Sequence, residues 1–255
     1  MRLDVAITKR GLAESRAKAQ ELISLGAVSV NGRVEKKASF NVEEADSISL
    51  AENDLQRYVS RGGLKLEGAL DAFGVSPLGR VCLDVGASSG GFTDCLLQRG
   101  ASLVYAVDVG VSQLHARLRE DSRVVSLEKY NAKCLKKEDF AEHPTLVVMD
   151  VSFISQTLLY PALARLLEEG DEMVTLVKPQ FEVGRAYVGK RGIVKNQKAV
   201  SAALCRVKEA AESFGFTVLG ETTSSILGGD GNTEYLFYLK RNGQQLALAE
   251  GSDLL

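Results

Sequence analysis

Lys65, Asp150, Lys178 and Glu234 are far apart in the chain, yet they suit one reaction: activating an oxygen nucleophile beside a bound cofactor. A lysine ammonium oriented by carboxylates can act on a weakly acidic hydroxyl, as base or as electrostatic stabiliser of the developing alkoxide. Such chemistry needs the acceptor held in line at about 3 Å from the reacting centre. Two neighbouring lysines disfavour each other's protonation, and two carboxylates favour and orient it. Lys178 is expected nearest the acceptor, oriented by Asp150, with Lys65 and Glu234 completing the network. Any one of the four, alone, reads more readily as a surface ion pair; only convergence on one rim distinguishes a site.

Convergence depends on the elements that carry these residues. Strands are predicted at Arg80–Val85, Leu103–Asp108, Val124–Glu128, Thr145–Asp150, Glu172–Val177, Phe216–Glu221 and Glu234–Leu239, with helices near 92–99, 111–119, 155–169 and 197–214. Strands alternating with helices imply an α/β fold with a mostly parallel sheet covered on both faces. In such sheets ligands collect at the carboxyl ends of the strands. Asp150 and Lys178 close or follow their strands there. Glu234 joins them if the last strand is antiparallel, and Lys65 sits on a helix before the first strand.

Val81-Cys-Leu-Asp-Val-Gly86 is an apolar strand ending in an acid and a glycine, and Gly90-Gly91 opens the next helix. Backbone without side chains lets a ligand approach closely, and a helix N-terminus presents unpaired amides. The turn is similar to the S-adenosylmethionine-binding pattern acidic-x-Gly-x-x-x-Gly, and it does not match the dinucleotide fingerprint GxGxxG. Asp108, closing the next strand, can accept hydrogen bonds from both ribose hydroxyls, and a helix N-cap is its competing role. Either Glu128 or Asn131 then meets the adenine edge. The expected cofactor contacts are Asp84, Gly86, Ser88, Gly90, Gly91, Phe92, Thr93, Asp108, Val109, Asn131 and Asp150.

Charge is segregated along the chain although the formal net charge is only −2. Residues 1–37 carry eight basic and four acidic side chains, whereas 38–54 carry five acidic and no basic ones. A module with one basic face is the footprint of phosphate-backbone binding. A helix over Leu12–Gly26, then strand, Asn31-Gly32 turn and strand, make this module a small α+β fold. Between 178 and 208 there are eight basic residues against Glu182 alone, interspersed with Gly184, Gly189 and Gly192 as in a mobile loop. A polyanionic substrate accounts for that stretch better than a small molecule does. Leu227–Asn232 is a second glycine-rich segment, either a rim loop or a hairpin turn. The domains are therefore 1–50, a linker at 51–60, 61–245 and a tail at 246–255.

Four cysteines with no CxxC pair and two histidines argue against a metal site. No apolar run reaches the roughly 18 residues a membrane span requires, and the first residues lack a secretion signal. A cytoplasmic protein is expected.

The motifs Ser60-Arg-Gly-Gly63, Asp84–Thr93, Val177-Lys-Pro-Gln-Phe-Glu182 and Asn232-Thr-Glu-Tyr235 together resemble the TlyA-type hemolysin and ribosomal RNA 2′-O-methyltransferase family. Its catalytic part is of FtsJ type, with a Rossmann-like sheet whose last strand is antiparallel, and its lysine, aspartate, lysine, glutamate tetrad matches Lys65, Asp150, Lys178 and Glu234. The N-terminal pattern Arg2-Leu-Asp, Arg10-Gly-Leu, Ser15-Arg16 and Val30-Asn-Gly32 resembles the alpha-L RNA-binding domain. The resemblance implies methyl transfer from S-adenosylmethionine to cytidine ribose in ribosomal RNA, with ribosomal RNA or subunits as partner. Arg2, Arg10, Arg16, Lys18, Asn31, Arg33, Arg185, Lys190 and Arg191 are the expected RNA contacts. One departure falls in Arg57-Tyr58-Val59-Ser60, where some relatives carry a tryptophan and this chain has none. Rival readings are a membrane-lytic protein, a non-catalytic RNA-binding assembly factor and a base-methylating enzyme.

Overall fold

The computed structural model describes residues 1–13, 15–24, 26–50 and 57–243. The chain forms two compact units, Met1–Tyr58 and a second beginning at Val59. Residues 51–56 of the expected linker and the whole expected tail lie outside the described residues.

In the first unit, α1 (Leu3–Lys9) and α2 (Arg16–Ser24) pack with a three-stranded sheet in the order β2 (Arg33–Val34), β1 (Val28–Val30), β3 (Ile48–Leu50), all antiparallel. Leu3, Ala6 and Ile7 of α1 recur at helical spacing and are fully buried with Ala19, Leu22 and Ile23 of α2. Neither α1 nor β3 is among the elements expected above. The apolar spacing in α1 was readable, whereas β3 lies in an acidic stretch with only Ile48 and Leu50 to mark it. The expected helix over 12–26 is shorter, and Gly26 takes a positive φ of 74° past its end.

The second unit is built on a seven-stranded sheet, β6 (Val124–Leu127), β5 (Leu103–Val107), β4 (Val81–Val85), β7 (Leu146–Met149), β8 (Glu172–Val177), β10 (Tyr235–Arg241), β9 (Phe216–Thr223). The first five in this order are parallel, and β10 is antiparallel to both neighbours. Central strands β4, β7 and β8 are nearly continuous apolar runs, as strands covered on both faces must be. The chain steps from β4 outward to β5 and β6, then returns to β7 on the other side of β4. That reversal opens a crevice at the carboxyl ends of β4 and β7.

Helices α3 (Gly62–Phe73), α4 (Gly91–Gln98), α5 (Ala116–Arg119), α6 (Tyr160–Leu166), α7 (Pro179–Glu182) and α8 (Gln197–Ser213) complete the unit. Two expected helices are shorter than predicted. Residues 111–114 are held instead in a turn, where Ser112 has a φ of 53° and donates its amide to Glu128. The segment 155–169 breaks into a 3-10 turn, Gln156–Leu158, and then α6, whose first turn contains Pro161; a residue without an N–H fits only where the helix restarts.

Candidate active site

Gly86 leaves β4 with a φ of 85°, and a Cβ there would stand 2.5 Å from the Asp150 carbonyl oxygen. Only glycine lets the cofactor turn pass this close to the end of β7. Asp150 is itself tied to β4, its amide donating to the Val85 carbonyl at 2.9 Å. Behind the turn, Asp84 is fully buried and accepts from the Thr93 hydroxyl at 2.6 Å, while its Oδ1 has no partner among the described residues. Burial pushes the Asp84 carboxyl up to about 7, against the Thr93 bond, and the charge of Asp150 adds to the shift.

A cavity of about 340 Å³ opens here, lined by Gly86, Ser88, Asp108, Val109, Asn131 and Asp150 of the expected set. Asp108 spans its floor, Oδ2 accepting from the Ser88 amide at 2.8 Å and Oδ1 from the Gly110 amide at 2.7 Å. No helix starts beside it, so the N-cap role falls away, and each oxygen keeps a lone pair toward a ligand. Asn131 lines the cavity; Glu128 does not, and accepts from Ser112 instead. Gly90, Gly91, Phe92 and Thr93 are buried behind the turn and support it without lining the cavity. Among the lining residues that sequence reasoning missed are Val85, Gln113, Tyr130, Ser152 and Phe153.

The four charges resolve into two ion pairs. Lys178 Nζ lies 2.5 Å from Asp150 Oδ1, and its directional hydrogen bond goes to Ser152 Oγ at 2.9 Å. Lys65 Nζ meets Glu234 Oε2 at 2.5 Å. The second pair is the more sealed, with side chains 10% and 3% exposed against 13% and 21% for the first. Glu234 immediately precedes β10, and Tyr235 pairs with Val177 of β8, so the antiparallel strand sets Glu234 on the same edge as Lys178. Residues 224–234 connect β9 to β10, and the second glycine-rich segment lies in this connection. A Cβ on Gly228 would reach within 2.4 Å of Glu234 Oε1.

Part of the basic stretch after Lys178 is built of short turns. It folds into two 3-10 turns, and buried Asn232 clasps it, accepting from the Val194 amide and donating to the Gly192 carbonyl, both at 2.9 Å. Arg185, Lys190 and Arg191 are exposed there. In the first unit, several expected RNA contacts serve the fold. Arg2 and Arg16 both donate to Asp4, Arg10 donates to the carbonyls of Glu43, Glu44 and Asp46, and Asn31 bonds Asp46 and Ser47. Arg2, with Gln20 and Arg16, holds the Asp4 carboxyl well below the usual carboxylate range. Arg33 is exposed, and Lys18 is half-buried.

A mostly parallel sheet with one antiparallel strand, β10, and with a glycine turn and an acid at its switch point fits an S-adenosylmethionine-dependent methyltransferase. Residues 58–241 match the FtsJ-like methyltransferase family and residues 1–48 match the S4 domain, and the chain belongs to the FtsJ-like methyltransferases. It is 44% identical over 241 residues to hemolysin A of Brachyspira hyodysenteriae, covering 92% of this chain and 98% of that protein. It is 41% identical over 250 residues to the 16S/23S rRNA (cytidine-2′-O)-methyltransferase TlyA of Mycobacterium tuberculosis, covering 98% and 93%. A solved Streptococcus thermophilus protein, described provisionally as a hemolysin, superposes with a TM-score of 0.76 at 44% identity over 95% of this chain and 88% of that one.

Proposed function

We propose that the chain methylates the ribose 2′-hydroxyl of cytidine in ribosomal RNA. The observation that carries this reading is Lys178 held 2.5 Å from Asp150, a residue that also lines the cofactor cavity. S-adenosylmethionine supplies an electrophilic methyl group when bound. Asp108 would hold its ribose and Asn131 its adenine edge, with Gly86 and Ser88 offering backbone beside it; a cavity of about 340 Å³ suits a ligand of that size.

A lysine ammonium has three N–H donors. Lys178 pairs with Asp150 and donates to Ser152, which leaves N–H capacity for the acceptor oxygen. Lys178 therefore stabilises the developing alkoxide, Asp150 and Ser152 orient it, and the Lys65–Glu234 pair fixes the adjoining rim. Phe153 is 91% exposed, has a φ of 64° and tilts against Phe181 with ring centroids 5.1 Å apart. An aromatic face held open to solvent beside the cavity suits stacking of the target base.

Exposed Arg185, Lys190, Arg191 and Arg33 match the phosphate backbone, and residues 1–50 form the RNA-binding module joined by the 51–60 linker to the catalytic residues 61–245. Ribosomal RNA within a subunit, in the cytoplasm, is the substrate. No helix among the described residues is long and apolar enough to cross a membrane, and nothing in the site favours a lytic activity. Mass-spectrometric mapping of ribose methylation, in ribosomal subunits treated with the protein and S-adenosylmethionine, tests the reading. Lys178→Ala should bind cofactor normally and leave the cytidine unmodified; modification at the wild-type rate refutes it.

A further inference from the structure

Two segments leave the sheet side by side at the site, 150–156 after β7 and 178–182 after β8, and Lys178, Phe181 and Glu182 of the second brace the first. Lys178 reaches Asp150 and Ser152, and Phe181 packs on Phe153. At the far end, the Glu182 carboxylate takes both its bonds from the other segment, accepting from Ser155 Oγ at 2.6 Å through Oε2 and from the Gln156 amide at 3.0 Å through Oε1. Its own backbone is held in turn, the Glu182 carbonyl accepting from Arg206 of α8 at 2.9 Å. Gln156 is buried, and its side-chain oxygen accepts from Tyr160 and Thr175. The span 151–154 is thus suspended between the end of β7 and the Glu182 anchor, and it carries Ser152 and Phe153.

We propose that Glu182 is a positioning residue for methyl transfer: it fixes the 151–154 span so that Ser152 meets Lys178 and Phe153 presents its face to the target base. This rests on the reading of the site given above. Glu182 does not line the cofactor cavity, and its effect passes through the other segment. A half-buried carboxylate with two neutral donors would otherwise be a poor choice for simple packing.

The test uses the full chain, ribosomal subunits and labelled S-adenosylmethionine, with single-turnover rates at saturation and cofactor affinity by calorimetry. Glu182→Ala should slow transfer by about tenfold or more while cofactor affinity stays within about threefold. Glu182→Gln keeps an acceptor for the Gln156 amide and offers a donor to Ser155 Oγ, so it should recover most of the rate. In a Phe153→Ala background, Glu182→Ala should cost less than in the wild type, because the ring it positions is gone. Should Glu182→Ala fail to fold, Ser155→Ala removes one of the two bonds and should give a smaller loss. Wild-type rates in Glu182→Ala or, where that fails to fold, in Ser155→Ala overturn the proposal, as do fully multiplicative losses with Phe153→Ala. A wild-type protein no more active than Lys178→Ala overturns the parent reading instead.

Discussion

Lys65 and Glu234, 169 residues apart, meet at 2.5 Å with both side chains almost sealed from solvent. A buried ion pair is weak as a source of net stability, yet removing one partner strands the other charge. Glu234→Gln should therefore lower unfolding stability by roughly 3–5 kcal/mol in denaturant titration and depress methyl transfer with it. The double change Lys65→Met with Glu234→Leu should restore stability without restoring transfer. Stability unchanged in Glu234→Gln would show the pair to be solvated.

Asp84 gives a pH dependence of definite sign. Its folded carboxyl is raised to about 7 by burial, so folding favours the protonated form. Its contribution to stability is full below the unfolded carboxyl value and is lost as pH rises through the folded one. Asp84→Asn should make the cofactor-free protein more stable than the wild type at about pH 8, with the gap closing toward about pH 4, as read by chemical denaturation. A gap independent of pH would refute the burial argument.

Gly86→Ala places a methyl group against the Asp150 carbonyl at a backbone angle that disfavours side chains. Calorimetry should show S-adenosylmethionine affinity lowered by about tenfold or more, because the turn must withdraw from β7. Unchanged affinity would mean that the turn does not contact the cofactor.

Arg185, Lys190 and Arg191 should contribute to RNA affinity through charge alone. Replacing all three by Ala should lower the slope of log affinity against log salt by about 2 to 3 and leave cofactor affinity untouched. An unaltered slope would remove this loop from the interface.

Much of the architecture was legible because it is written in neighbouring residues. Apolar runs ending in Asp84 and Asp150 mark central strands, and the acid–glycine turn marks the cofactor crevice. What was not legible is set by contacts that form only on folding. Nothing near Arg10 or Arg16 announces that the carbonyls of Glu43, Glu44 and Asp46, or the Asp4 carboxylate, would engage them. The choice between Glu128 and Asn131 depends on which side chain the 110–112 turn captures.

Residue types and their period set the α/β class, the cofactor turn and the four charges, since strand and helix propensities act over a few neighbours. The Lys178–Asp150 pairing was expected from the sequence, whereas folding alone decided that Lys65 and Glu234 form a separate, buried pair. The reason is that β10 inserts between β8 and β9, and a register between strands distant in sequence, set by packing of the whole sheet, determines which side chains meet.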